Sequence, residues 1–160
     1  MARFLNFIGT AIIIIVIVLC LSLVAPRAFG ITCYTVLTGS MEPAVRVGSI
    51  VYVKATEPAL LETGDIIVFY DGRNEVPITH RIVENQTGEG QVITKGDAND
   101  SNDIAPIPYS NIIGKVVLHL LFLGRLLTPL GTMMGKVAMF LVILGGFLLC
   151  EVARRLRKEN

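Results

Sequence analysis

The chain has 160 residues, 52% of them hydrophobic, and its 14 basic and 13 acidic side chains leave a formal charge of +1. So apolar a composition excludes an ordinary soluble domain, the length excludes a string of domains, and the near-neutral balance excludes nucleic acid as a partner, since that needs basic side chains to neutralise phosphates. The three cysteines, Cys20, Cys33 and Cys150, have no C-x-x-C spacing and only two histidines beside them. Neither a disulfide framework nor a zinc site follows; they are read as small buried apolar side chains, and no cofactor is implied.

No charge falls between Phe4 and Ala25, and the centre of this run, AIIIIVIVLCLSLV, has the length and composition of a membrane-crossing helix. A cleaved signal peptide is the rival reading, because Arg3 precedes the run; the run is long for that, and Pro26 stands where cleavage would fall. Residues 1–29 are therefore expected to be a retained N-terminal anchor.

From Gly30 to Thr132 the chain is long enough for one domain with its own core. Its apolar runs are short and rich in β-branched and aromatic residues: ITCYTVL, SIVYV, DIIVFY, VPITHRIV, QVITK and IIGKVVLHL. Such runs predict a mainly β domain over 30–132. Turn residues at Asp71 to Asn74 and at Thr87 to Gly90 separate neighbouring runs, so consecutive hairpins are the simple expectation. A local echo, Glu42-Pro43-Ala44 leading to Gly48-Ser49-Ile50 and Glu57-Pro58-Ala59 leading to Gly64-Asp65-Ile66, predicts two strands entered in the same way. Val116 to Gly131 reads either as a strand running into a surface that dips among lipid headgroups or as plain core.

Val137 to Cys150, extended back to Met133 with Lys136 reaching the interface, predicts a second span over 133–153. The basic tail 154–160 carries Arg154, Arg155, Arg157 and Lys158, which the positive-inside rule assigns to the cytoplasm. Two spans then leave the N-terminus inside as well and the β domain outside the cytoplasm.

Chemistry has few places to sit. Serine needs a base within hydrogen-bond reach, and a histidine base needs a third group to orient it. His119 lies in an apolar run and reads as a packed or interfacial side chain, whereas His80, in Ile78-Thr79-His80-Arg81, has polar neighbours. Ser40, in Thr38-Gly39-Ser40-Met41-Glu42-Pro43, follows a strand; by itself it reads more readily as a turn serine. Asp97, Asp100 and Asp103 crowd one turn after QVITK, which lacks the glycine and glutamate spacing of an EF-hand and is either a solvated turn or the source of an orienting carboxylate.

Together Ser40-Met41-Glu42-Pro43, Gly64-Asp65-Ile66-Ile67-Val68-Phe69, His80-Arg81-Ile82 and Lys95-Gly96-Asp97 followed by Asp103 resemble, in order, the motif boxes of the type I signal peptidases. The similarity is to their serine-histidine branch, found in the endoplasmic reticulum, archaea and some Gram-positive sporeformers; the common bacterial branch carries lysine where this chain has His80. The resemblance implies a membrane-bound serine endopeptidase acting on signal peptides of exported preproteins. Ser40 would be nucleophile, His80 general base and Asp103 the orienting acid, with Asp97 as the alternative. Backbone N–H of Ser40 and the Thr38 hydroxyl would form the oxyanion site, and Met41 would belong to a substrate-binding wall. It implies the cell membrane, or the endoplasmic reticulum in a eukaryote, with membrane lipid and other export or processing subunits as partners. Asn85-Gln86-Thr87 and Asn99-Asp100-Ser101 fit the glycosylation pattern without fixing a source. The reading from a different class is a non-catalytic, membrane-tethered β module in an export complex, which would have no use for Ser40, His80 and Asp103 together.

Overall fold

A computed structural model describes residues 2–72, 76–121, 123–124 and 132–158. The chain divides into two compact units, Met1–Ala25 with Leu126–Asn160, and Pro26–Arg125.

The first unit pairs helix α1 (Ala2–Val24) with helix α2 (Met133–Lys158). Isoleucine-rich α1 has only modest helix propensity in water, but a segment in lipid must satisfy its backbone internally, and a helix does so. The two helices approach through small residues: a Cβ on Gly9 would lie 2.7 Å from both Cys150 Sγ and the Gly146 carbonyl, and one on Gly146 would lie 2.9 Å from Ile13 Cγ1. Close backbone packing of this kind is how apolar helices associate where burial from water gives no driving force. Cys20 donates to Met139 Sδ at 3.4 Å in the same contact. All three cysteines are half-buried, less enclosed than expected; Cys20 and Cys150 line the seam between the helices and Cys33 lies on a strand of the second unit. The outer faces, with Ile14, Val18, Phe140 and Leu144, are exposed and apolar, and both helices are candidate membrane spans.

The second unit is a seven-stranded antiparallel sheet of β1 (Ile31–Thr35), β2 (Ile50–Lys54), β3 (Ile66–Tyr70), β4 (Pro77–Gln86), β5 (Gln91–Lys95), β6 (Ile107–Pro108) and β7 (Ile112–Leu120). Six of these fall on the six apolar runs; the two-residue β6 is too short to leave a pattern. Spatial order is β1-β2-β7-β3-β4-β5-β6. Simple succession therefore fails at one point, where β7 inserts between β2 and β3. Both pair antiparallel with β7, so they run parallel to each other, and parallel strands cannot be joined by a tight turn. The echo before them has a structural counterpart: Gly48 (φ 84°) and Gly64 (φ 95°) each turn the chain just ahead of a strand through the left-handed region that glycine adopts without strain.

β3 is apolar without alternation because both its faces are covered. Val68 joins Val36, Met41, Val45, Val51 and Val53 in one cluster, while Ile67 and Phe69 join Leu61, Ile82, Val92 and Ile107 in another. The end of β7 is not core: Val117 and Leu118 are about half exposed. Most of residues 122–131, and Arg73 and Asn74 of the expected turn, lie outside the described residues.

Candidate active site

Ser40 stands in a tight turn beyond β1. Glu42 N–H donates to the Gly39 carbonyl at 3.0 Å and Val45 N–H to the Met41 carbonyl at 2.8 Å. Met41 and Val45 anchor the turn in the first core cluster. Met41 is only 1% exposed, its side chain enclosed in that cluster beneath the turn. Thr38 is exposed and Ser40 half-buried beside it.

His80 owes its setting to the pleat. On β4 it alternates with Ile78 and Ile82, and opposite it on β3 is Ile67, so it occupies an inward position that the pattern would otherwise give to an aliphatic residue. It is 9% exposed, and its ring meets Phe69 edge-on with centroids 6.1 Å apart. Nδ1 lies 2.7 Å from Asp103 Oδ2. An ionised carboxylate only accepts, so Nδ1 carries the proton and Nε2 is left as an acceptor. Thr94, inward on β5, donates its hydroxyl to the same Asp103 oxygen at 2.6 Å, and Asp103 N–H donates to the Thr94 carbonyl at 2.8 Å.

Arg81, one residue on, projects from the opposite face. Its Nε and Nη2 donate to the two oxygens of Asp97 at 2.8 and 2.6 Å, and Nη1 donates to the Gly64 carbonyl at 2.7 Å. The hydrogen bond to Asp97 raises the Arg81 pKa above its usual value, against a smaller opposing effect of burial. The acidic turn is thus divided: Asp103 goes to His80, Asp97 to Arg81, and Asp100 contributes its carbonyl to Lys95 Nζ at 3.4 Å.

The same turn grips the serine. Ala98 N–H donates to the Ser40 carbonyl at 2.8 Å, and a Cβ on Gly96 would lie 2.7 Å from that carbonyl oxygen, so only glycine fits there without a shift. The structure therefore joins His80, Asp103 and Thr94 directly, and ties the Ser40 main chain to the loop that holds Asp103. Among the described residues Ser40 Oγ has no hydrogen bond to His80; such contacts commonly tighten only with substrate bound. His119 is exposed on β7, opposite Val51, away from these contacts. Next to the imidazole a cavity of about 320 Å³ is lined by Phe69, Ile78, His80, Asp103, Ile104 and Ile107 among others. No motif singles out Thr94, and Gly96 stands in the Lys95-Gly96-Asp97 box with no role assigned to it there. The sequence does carry a signal for the first, a hydroxyl at an inward position of β5 in register with Ile82.

Residues 6–84 match the protein family described as signal peptidase, peptidase S26. The match takes in Ser40 and His80 and ends before Asp97 and Asp103. The chain is 42% identical over 91 residues to signal peptidase I W of Bacillus subtilis (strain 168), covering 54% of this chain and 47% of that protein. It is 40% identical over 73 residues to the signal peptidase complex catalytic subunit SEC11 of Lachancea thermotolerans, covering 43% of each. Against the catalytic subunit SEC11C of Homo sapiens it is 35% identical over 71 residues, 42% of this chain and 37% of that one. The chain thus spans less than half the length of these curated relatives.

Proposed function

Since the chain belongs to the type I signal peptidase family, we propose that it is a membrane-anchored serine endopeptidase that removes signal peptides from exported preproteins. The observation that carries the mechanism is the 2.7 Å contact of His80 Nδ1 with Asp103, which leaves Nε2 free to act as base. Ser40 Oγ attacks the scissile carbonyl carbon as its proton passes to His80 Nε2. Charge on the carbonyl oxygen is met by the Ser40 N–H and the Thr38 hydroxyl. His80 then gives the proton to the leaving amine, an acyl-enzyme remains on Ser40, and water activated by the same nitrogen releases the signal peptide. Asp103 holds the ring and stabilises it when charged, in turn held by Thr94. Purified protein should cleave a model precursor and Ser40→Ala should not; a precursor cut equally by both would end this reading.

The proposal includes sidedness. Arg3 on α1 lines the same cavity as Arg154 and Arg157 on α2, which supports both termini lying on one side, the cytoplasmic one by the positive-inside rule. Protease added outside right-side-out vesicles should digest the central domain and spare a C-terminal tag. Two relatives are named as catalytic subunits of a signal peptidase complex, and association with export or processing subunits is the corresponding proposal here, tested by co-purification in mild detergent.

A further inference from the structure

At one end of the helix pair is a cavity that takes no part in the chemistry above. It measures about 200 Å³ and is lined by Ala2, Arg3 and Asn6 of α1 and by Ala153, Arg154 and Arg157 of α2. We propose that this cavity binds the phosphodiester of an anionic membrane lipid.

Charge is the first ground. Three arginines line the cavity, and α1 has no acidic residue in its first turn. Among the described residues the one carboxylate close by is Glu151, which is shared between Arg154 at 3.5 Å and Arg155 at 3.2 Å. Arg3 and Arg157 form no ion pair among the described residues. Their planar, forked donors suit the paired oxygens of a phosphate. The first-turn N–H groups of α1 lack intrahelical acceptors and open at the same end, adding donors and a positive dipole end.

Size and surroundings decide which phosphate. The volume is several times the roughly 30 Å³ that one water occupies, enough for a phosphodiester with its flanking methylenes. Ala153, 3% exposed, gives the cavity a small apolar floor. Immediately beside it the helix surfaces are apolar and exposed, with Phe4 at 67%, Phe7 at 71% and Val152 at 48%. A headgroup held by the arginines would lay its acyl chains along these side chains, whereas a free phosphate would leave them uncovered. The inference rests on the two helices being membrane spans and is independent of the protease reading.

The test accordingly uses no cleavage. The full chain is placed in nanodiscs of mixed phosphatidylcholine and phosphatidylglycerol, and the lipid that stays on the protein is counted by native mass spectrometry. Phosphatidylglycerol should be retained in excess. Arg3→Gln and Arg157→Gln should each lower that excess by about fivefold, the effect of one basic side chain at a lipid surface. Arg155→Gln removes the same charge from the same turn but lies outside the cavity, and should change it little. An equal loss in Arg155→Gln, or none in the Arg3 and Arg157 variants, would overturn the site. Should the glutamine variants aggregate, Arg3→Lys and Arg157→Lys are compared instead; retention undiminished by loss of the forks would also overturn it. In a second arm inorganic phosphate is added in excess, and displacement of the lipid by phosphate would show a free-anion site and refute the lipid assignment.

Discussion

The two faces of β4 hold the two aspartates of one turn in different ways. On one face Arg81 is tied down: each of its three nitrogens donates to Asp97 or to the Gly64 carbonyl. On the other, His80 has one nitrogen on Asp103 and the other open, in a setting where its side chain is 11% exposed against 35% for Arg81. Carboxylates that are equivalent in sequence are told apart by what their partners have left to offer. A cation with every nitrogen engaged clamps a loop, whereas an imidazole with one nitrogen engaged keeps the other for chemistry in the proposed mechanism.

The contrast between the faces is lost most completely by a change on the His80 side. His80→Ala should lower kcat/KM on a short peptide by about a thousandfold or more while leaving the fold intact. Lys95→Ala should keep most of the activity; if Lys95→Ala instead abolished cleavage and His80→Ala retained it, lysine would be the base. Asp103→Asn should cost about a hundred- to ten-thousandfold through loss of ring orientation, and an Asp97→Asn enzyme crippled to the same degree would equalise the two faces.

A smaller effect of a different kind is expected on the Arg81 face. Asp97→Asn removes a charge-assisted pair that is partly screened by solvent, worth about 1–2 kcal/mol. That corresponds to a Tm lowered by roughly 4–8 °C per kcal/mol for a domain of this size. Activity well below the transition should drop less than in Asp103→Asn. Thermal unfolding followed by circular dichroism, beside the kinetic assay, separates the two; an unchanged Tm would deny the clamp.

The mildest change acts within one face. Thr94→Val keeps shape and burial but removes the hydroxyl on Asp103, and should reduce kcat/KM by about tenfold with little change in KM. Thr94→Ser should restore most of it. If serine fails to rescue, packing and not the hydrogen bond accounts for Thr94.

Much of the fold is written in local pattern. The strands are legible because β-branched runs alternate or, in β3, do not; the first helix, because charge is missing over a membrane's thickness; the second, because a shorter apolar run precedes a basic tail. Insertion of β7 between β2 and β3 is not legible, since pairing across some sixty residues leaves no local trace. Ser40 and His80 stand out by motif. The resemblance favours Asp103 over Asp97 without supplying the physical reason, which is the pleat: His80 and Arg81 are adjacent in sequence and opposite in space. Met41 follows the same logic in reverse, a residue next to the serine in sequence whose side chain turns down into the core.

The missing side chain of Gly96 brings the acid-bearing turn against the Ser40 carbonyl, and the neighbouring Ala98 N–H fastens it there, so the joint is made wholly of peptide backbone. Such a hinge pin transmits displacement without regard to side-chain identity. If the acidic turn shifts, the nucleophile's own peptide shifts with it, and the distance between acid and nucleophile behaves as one mechanical coordinate. A designer can therefore repaint the cavity wall from Ile104 to Ile107 without setting the serine adrift, provided that this one contact is left bare.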